Sequence, residues 1–215
     1  MNHTKLLQVQ AYEHIKEMVL SGQLQQDEIY SETKIAKMLG ISRTPVRDAI
    51  QYLSQEKYID IIPNKGFRLH KMEMKDFNDT IQIRSAIEGY CAWQLAQEYQ
   101  APQAQQTFQQ LQECLERQQA AMERDDVEAY FEADIQFHNL LVDHSQNQEL
   151  MQMYGSYMYR MRNLARHSLG HPGRMPAALE EHTAMYQNMK QGNWRGAYES
   201  TMFHMESPRN ISVEE

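Results

Sequence analysis

The chain has 215 residues, 41% of them hydrophobic and 23% charged, which suits one large domain or two small ones with their own cores and excludes disorder along most of its length. A net charge of -8 and a pI near 5.6 exclude nucleic-acid binding through overall basicity, so any such contact needs a local patch. Two cysteines, Cys91 and Cys114, cannot build a disulfide framework and lack the close pairing of a zinc knuckle or redox motif, which points to a reducing compartment.

The opening run MNHTKLLQVQAYEHIKEM has no apolar core of signal-peptide type, and no stretch approaches the roughly 18 apolar residues of a membrane span. A cytoplasmic protein with no membrane partner is expected. Cut after His70, the chain carries +1 on the first part and -9 on the rest, an asymmetry that suggests two domains with different partners.

In the first part, Ala11, Ile15, Met18 and Val19 recur at helical spacing before Gly22 and predict a first helix. Ser31 then stands as an N-cap to a second, two-turn helix with Ile35, Ala36 and Leu39 as its apolar face and Gly40 at its end. A third helix begins near Ser42, with Pro45 tolerated in its first turn and Val46, Ile50 and Leu53 facing the core. Tyr58 to Ile62, the turn Pro63-Asn64-Lys65-Gly66 and Phe67-Arg68-Leu69 read as a two-stranded hairpin. The second part reads as six helices, at about 74–99, 102–124, 126–145, 147–169, 174–190 and 193–206, with Asp126 and Asn193 as N-caps. An antiparallel helical bundle follows, and SPRNISVEE reads as a frayed tail. The fold expected is mostly α: a winged helix-turn-helix at 1–72, a helical bundle at 73–207 and a tail at 208–215.

Basic residues fall where that reading needs them. Between Lys34 and Asp48 the local charge is +3, from Lys34, Lys37, Arg43 and Arg47 against Asp48. Arg43 and Arg47 share one helix face while Val46 and Ile50 point inward, so both guanidinium groups can enter a major groove. Ser42 and Thr44 at the helix start suit phosphate contacts, with Thr33 and Lys34 on the preceding helix completing the candidate set. Lys65, Gly66 and Arg68 put charge and a close-approach glycine on the hairpin, where a wing meets the duplex.

The run SETKIAKMLGISRTPVRDAIQYLSQEKYI followed by NKGF resembles the DNA-binding domain of GntR-type bacterial transcription regulators, and Leu39 to Ile50 matches that family's most specific signature almost without gaps. The resemblance implies that Arg43, Thr44 and Arg47 contact DNA and that Gly66 is the wing-tip glycine. One departure stands out: the family's Pro-Gly before the second helix is Gln26-Asp27 here.

Asp134 and His138 lie four apart and so share a helix face, flanked by Ile135 and Leu141. His182 and His204 fall on two other predicted helices, which a bundle can direct to the same centre. Three imidazoles and one carboxylate suit a borderline divalent ion and leave coordination positions open. By residues alone, a single histidine on an amphipathic helix is more often a hydrogen-bonded boundary residue than a ligand. The helical part, however, resembles the FCD effector domain of the FadR-type branch of GntR regulators. That resemblance implies Asp134, His138, His182 and His204 as ligands of a divalent transition metal: Zn, Ni, Mn, Co or Fe, with Zn the one expected in a purified sample.

Arg84 lies among Ile81, Ile83, Ala86 and Ile87, and its plain reading is a surface ion pair with Glu88. The resemblance implies instead that it faces the cavity and binds an effector carboxylate, for which a planar fork is well shaped. His144, His167 and His171 lie near helix ends and read as exposed, and the glutamine-rich run from Gln94 to Gln119 reads as a solvated face. The function implied is a homodimeric, non-enzymatic regulator of a pseudo-palindromic double-stranded operator, responsive to a small organic acid at a metal site. The alternatives are a metal-dependent enzyme acting on organic acids and a ligand-independent DNA-binding protein. Against the enzyme, Glu180 and Glu181 adjoin His182, but a helix sends adjacent side chains in different directions.

Overall fold

An apolar stripe of Ala11, Ile15, Met18 and Val19 is buried along one side of α1 (His3–Leu20). The computed structural model describes the backbone of residues 3–211 and the side chains of 5–207. It divides into two units, Met1–Glu73 and Met74–Glu215. Among the described residues, no helix is long and apolar enough to cross a membrane.

In the first unit α1 packs along α3 (Arg43–Gln55), against which α2 (Glu32–Leu39) also rests. Gly40 adopts φ +66, and the following Ile41 amide returns to the Ala36 carbonyl at 3.1 Å, which stops α2 in a left-handed cap. Pro45 sits in the first turn of α3, where a missing N–H costs nothing. Val46, Ala49, Ile50 and Leu53 bury the inner face of α3. Ser31 and Ser42 occupy the cap positions in extended backbone, but neither side chain makes a capping hydrogen bond.

The hairpin pairs β1 (Ile59–Ile62) with β2 (Gly66–Leu69), Ile59 opposite Leu69 and Ile62 opposite Gly66. Tyr30 adds a single antiparallel bridge to Phe67, with N–H to O distances of 2.7 and 3.0 Å. This bridge explains Gly66. Its φ is +130, and a Cβ there would fall 2.0 Å from the Tyr30 carbonyl oxygen. The glycine is required by the protein's own backbone, and it opens β2 rather than crowning the turn, where Asn64 takes φ +62.

The second unit is a bundle of α4 (Met74–Gln97), α5 (Pro102–Glu123), α6 (Val127–His144), α7 (Gln148–Ser156), α8 (Met158–Leu169), α9 (Arg174–Lys190) and α10 (Trp194–Ile211). α5 lies on α6, α10 packs between α4 and α9, and the core runs through Cys91, Leu95, Phe108, Leu111, Phe137, Leu141 and Met185. Asp126 caps α6 through the Ala129 amide, and the Asn193 side chain accepts from the Gly196 amide. Two expectations are corrected. The helix predicted at 147–169 is two, broken at Tyr157 after Gly155-Ser156, where helical propensity is low. The last helix runs on through Pro208 to Ile211, where the sequence suggests a tail; 212–215 lie outside the described residues.

Gly66→Ala should destabilise the first unit by about 2 kcal/mol or more, through strained backbone and collision with Tyr30. Thermal denaturation without DNA checks this; an unchanged melting curve would mean that the bridge yields freely.

Candidate metal centre and nucleic-acid interface

In the first unit, Ser31–Thr33, Arg43, Arg47 and residues 61–66 of the hairpin line one cleft of about 450 Å³. Thr33, Arg43, Arg47, Lys65 and Gly66 from the candidate set meet there, while Lys34, Ser42 and Thr44 stand exposed outside its lining. The arginine side chains are more than half exposed and both reach one oxygen of Glu32, Arg47 Nε at 3.3 Å and Arg43 at 3.7 Å. At such exposure these pairs contribute little stability, on the order of 0–1 kcal/mol. They aim two guanidinium groups without locking them. Arg68 pairs with Asp60 at 3.5 Å on the hairpin.

In the second unit, α6, α9 and α10 bring His138, His182 and His204 together. Their Nε2 atoms form a triangle with edges of 3.2, 3.3 and 3.2 Å, and all three rings are buried. Asp134, one turn before His138, places Oδ1 3.6 Å from Nε2 of His182. Each Nδ1 has its own oxygen: Glu88 to His138 at 2.6 Å, Gln118 to His182 at 2.9 Å and Glu181 to His204 at 2.6 Å.

Protonation follows from this. Burial holds His182 well below the usual histidine range, reinforced by the two neighbouring imidazoles. Burial likewise takes His204 down to about 4, against the opposing pull of Glu181. Burial alone would raise Glu88, but Arg84 and His138 outweigh it and hold the carboxyl well below the usual range. Glu181 is lowered to about 2 on the same balance, burial being overcome by His204 and Arg174. Carboxylates and amide oxygens only accept, so each Nδ1 donates and each Nε2 is left to face the other two rings.

Three Nε2 atoms this close together are spaced as ligands of one cation are. Bonds of about 2.1 Å from one ion to three imidazoles require nitrogens roughly 3.0–3.4 Å apart, which the triangle meets. Oxygen acceptors behind ligating histidines are also the usual means of fixing tautomer and raising basicity. The donor set therefore fits a divalent transition ion.

Arg84 is buried, not a surface residue: its Nε donates to Glu88 at 2.7 Å. Glu88 thus receives Arg84, His138 and the Tyr154 hydroxyl, the last at 2.9 Å. Among the described residues, the terminal nitrogens of Arg84 have no hydrogen-bond partner.

Comparison with known proteins matches residues 7–69 to the gntR family of bacterial regulatory proteins and residues 79–207 to the FCD domain. The chain is a gntR-family transcription regulator with an FCD domain. It is 26% identical over 201 residues to YdhC, an uncharacterized HTH-type transcriptional regulator of Bacillus subtilis (strain 168), covering 91% of this chain and 86% of that one. It is 29% identical over 141 residues to the HTH-type transcriptional repressor RspR of Escherichia coli (strain K12), covering 66% of this chain and 60% of the relative. The solved structure of McbR/YncC from E. coli shares the fold, with a TM-score of 0.73, 23% identity and 96% of each chain covered.

The regulator also holds functional candidates that sequence reasoning missed. Glu181 adjoins His182 in sequence but serves His204 across the helix interface, and it also receives Arg174 at 2.6 Å and the Ser207 hydroxyl at 2.8 Å. Gln118 belongs to the run read as a solvated face, yet it is fully buried behind His182. Its glutamine neighbours at Gln109, Gln112 and Gln119 are exposed, and that pattern hid it. His144, expected at the surface, is buried between Thr107 and Glu98. His167 is exposed and packs its ring against Phe77 at a tilt of 42°.

Glu88→Ala should cost the regulator about 3–5 kcal/mol, because it strands a buried guanidinium and two further donors at once. Urea unfolding followed by circular dichroism measures this, and a loss below ~1 kcal/mol would show that the pair is dispensable.

Proposed function

We propose that the regulator binds a pseudo-palindromic operator as a cytoplasmic homodimer and that a small carboxylate effector, held at a divalent-metal site in the helical unit, changes its affinity for that operator. The observation that carries this reading is the buried triangle of Nε2 atoms, each ring fixed from behind by an oxygen. Asp134, His138, His182 and His204 would hold the ion, with Zn expected in a purified sample and Ni, Mn, Co or Fe chemically suited. When bound, the ion supplies positive charge to which an effector carboxylate can bind.

The chain's own residues do the rest. Glu88, Gln118 and Glu181 hold three imidazoles in one tautomer, and Glu88 simultaneously fixes Arg84. The open nitrogens of Arg84 offer a planar fork to the effector. On the DNA side, Arg43 and Arg47 reach base edges while Thr33, Lys34, Ser42, Thr44, Lys65 and Gly66 lie against the backbone. A two-fold dimer presents two α3 helices, so half-sites fall one helical turn or a multiple apart. Coupling is a free energy shared by both sites: roughly 1–3 kcal/mol shifts operator affinity about 5- to 150-fold, and operator shifts effector affinity by the same factor.

His182→Ala should abolish metal retention while sparing part of operator binding; elemental analysis showing full occupancy in that variant would contradict the assignment. Arg47→Ala should weaken specific binding by about 1–3 kcal/mol with no loss of folding. Fluorescence anisotropy across a salt series measures it, and unchanged affinity would move the reading surface elsewhere.

A further inference from the structure

Two of the three imidazoles at the candidate metal centre are backed by a carboxylate, the third by an amide. Glu88 stands behind His138 and Glu181 behind His204, each at 2.6 Å, while Gln118 stands behind His182 at 2.9 Å. Both carboxyls are held ionised and can only accept, so His138 and His204 carry a proton on Nδ1. An amide can accept or donate. Turned over about its last bond, Gln118 presents Nε2 in place of Oε1 and donates to His182 Nδ1 instead of accepting from it.

No second contact fixes the direction in which the amide points. Gln118 is fully buried, and among the described residues its Nε2 has no hydrogen-bond partner. Either orientation therefore makes one hydrogen bond to His182 and leaves one end of the amide unmatched. The two ends are nearly the same size, so the rotation leaves the packing unchanged. The His182 ring need not move either, because it is stacked on Phe137 with centroids 4.6 Å apart.

Burial keeps the His182 ring neutral, with one proton for two nitrogens. With Gln118 accepting, that proton is on Nδ1 and Nε2 is open to an ion. With Gln118 donating, it is on Nε2, within hydrogen-bond reach of His138 Nε2 at 3.2 Å and His204 Nε2 at 3.3 Å. Those two atoms are free to accept it, since the carboxylates hold both rings protonated on Nδ1. Asp134 Oδ1 lies 3.6 Å from the same nitrogen.

We propose that Gln118 is a positioning residue that switches His182 between a metal-ligating tautomer and a closed one, in which the His182 Nε2–H bonds to the neighbouring rings and blocks the third ligand position. This rests on the divalent-metal reading above. As an ion binds, one proton leaves His182 Nε2, one is taken up at Nδ1 and the amide turns over, so the charge of the ring does not change. The closed form gives three buried imidazoles a satisfied arrangement before the ion arrives. It also competes with the ion, so the amide sets metal affinity below what a third carboxylate would give.

The test uses the full-length protein, stripped with a chelator and then titrated with Zn(II). Long-range proton–nitrogen NMR correlations of the histidine side chains distinguish Nδ1–H from Nε2–H. His182 is expected to carry its proton on Nε2 in the stripped protein and on Nδ1 once Zn(II) is bound, while His138 and His204 stay protonated on Nδ1 throughout. Gln118→Glu keeps the shape, and an ionised carboxylate there can only accept. It is expected to hold the His182 proton on Nδ1 in both states and, in chelator competition, to bind Zn(II) at least about tenfold more tightly. Gln118→Met neither accepts nor donates and is expected to bind Zn(II) at least about tenfold more weakly. A glutamine that only fills space would weaken both variants alike, so a loss in both overturns the proposal, as does a stripped wild type with His182 protonated on Nδ1. If the wild type binds none of Zn(II), Co(II) and Ni(II), the metal reading falls and the switch with it. If it binds the ion with no change of tautomer, the metal reading stands and the role of Gln118 fails alone.

Discussion

Three buried imidazole nitrogens turned toward one another constrain the whole helical unit. The rings come from α6, α9 and α10, and the oxygens that fix their tautomers come from α4, α5 and α9. Five helices therefore meet in one polar network, although apolar packing alone would allow each to slide or rotate against its neighbours. Buried charge of this kind is a poor source of net stability, because desolvation offsets most of the attraction. Its effect is to select one packing: a shift of α4 against α6 breaks Glu88 from His138 and leaves a buried imidazole N–H without its acceptor.

The DNA-reading unit is built on the opposite plan. Its core of Ala11, Ile15, Val46, Ile50 and Leu53 is apolar, and its charged groups lie outside. Glu32 contacts both Arg43 and Arg47, yet both arginine side chains are more than half exposed, so a duplex can take them from Glu32 at little cost. The helical unit fixes its polar groups before a ligand arrives; the reading unit leaves its own ready to be taken over. An acidic chain can bind DNA in this way because the contacts are local, carried by a +3 stretch rather than by net charge.

The framework of both units was legible in the sequence because it depends on local signals. Glycine at 40, proline at 45, the caps at Asp126 and Asn193 and the apolar spacing of the first three helices each act within a turn or two of chain, and the structure uses them as read. The break at Tyr157 was not legible, since Gly155-Ser156 weakens a helix without forbidding it. At the site, the three histidines and Asp134 could be gathered by resemblance, but their supports could not. Glu181 acts across an interface and Gln118 looks like its exposed glutamine neighbours; both functions depend on which helix lies opposite, and nothing within a few residues encodes that. Arg84 shows the same limit, because an arginine four residues before a glutamate reads as a surface pair until burial is known.

Positions where a structure breaks a local rule are where function is expected, and here the rule-breaking positions separate into two kinds. Gly66 has a backbone few residues adopt, but the Tyr30 carbonyl accounts for it in full, so its conformation is evidence of folding whatever else it touches. The imidazole triangle is of the other kind: it sets three buried rings within 3.3 Å of one another, where a fold selected for stability alone would place apolar side chains of the same volume and gain by it. Its rings come from three helices that all pack against α4, and a polar cluster at the centre of such a bundle is where a ligand site rather than a core is expected.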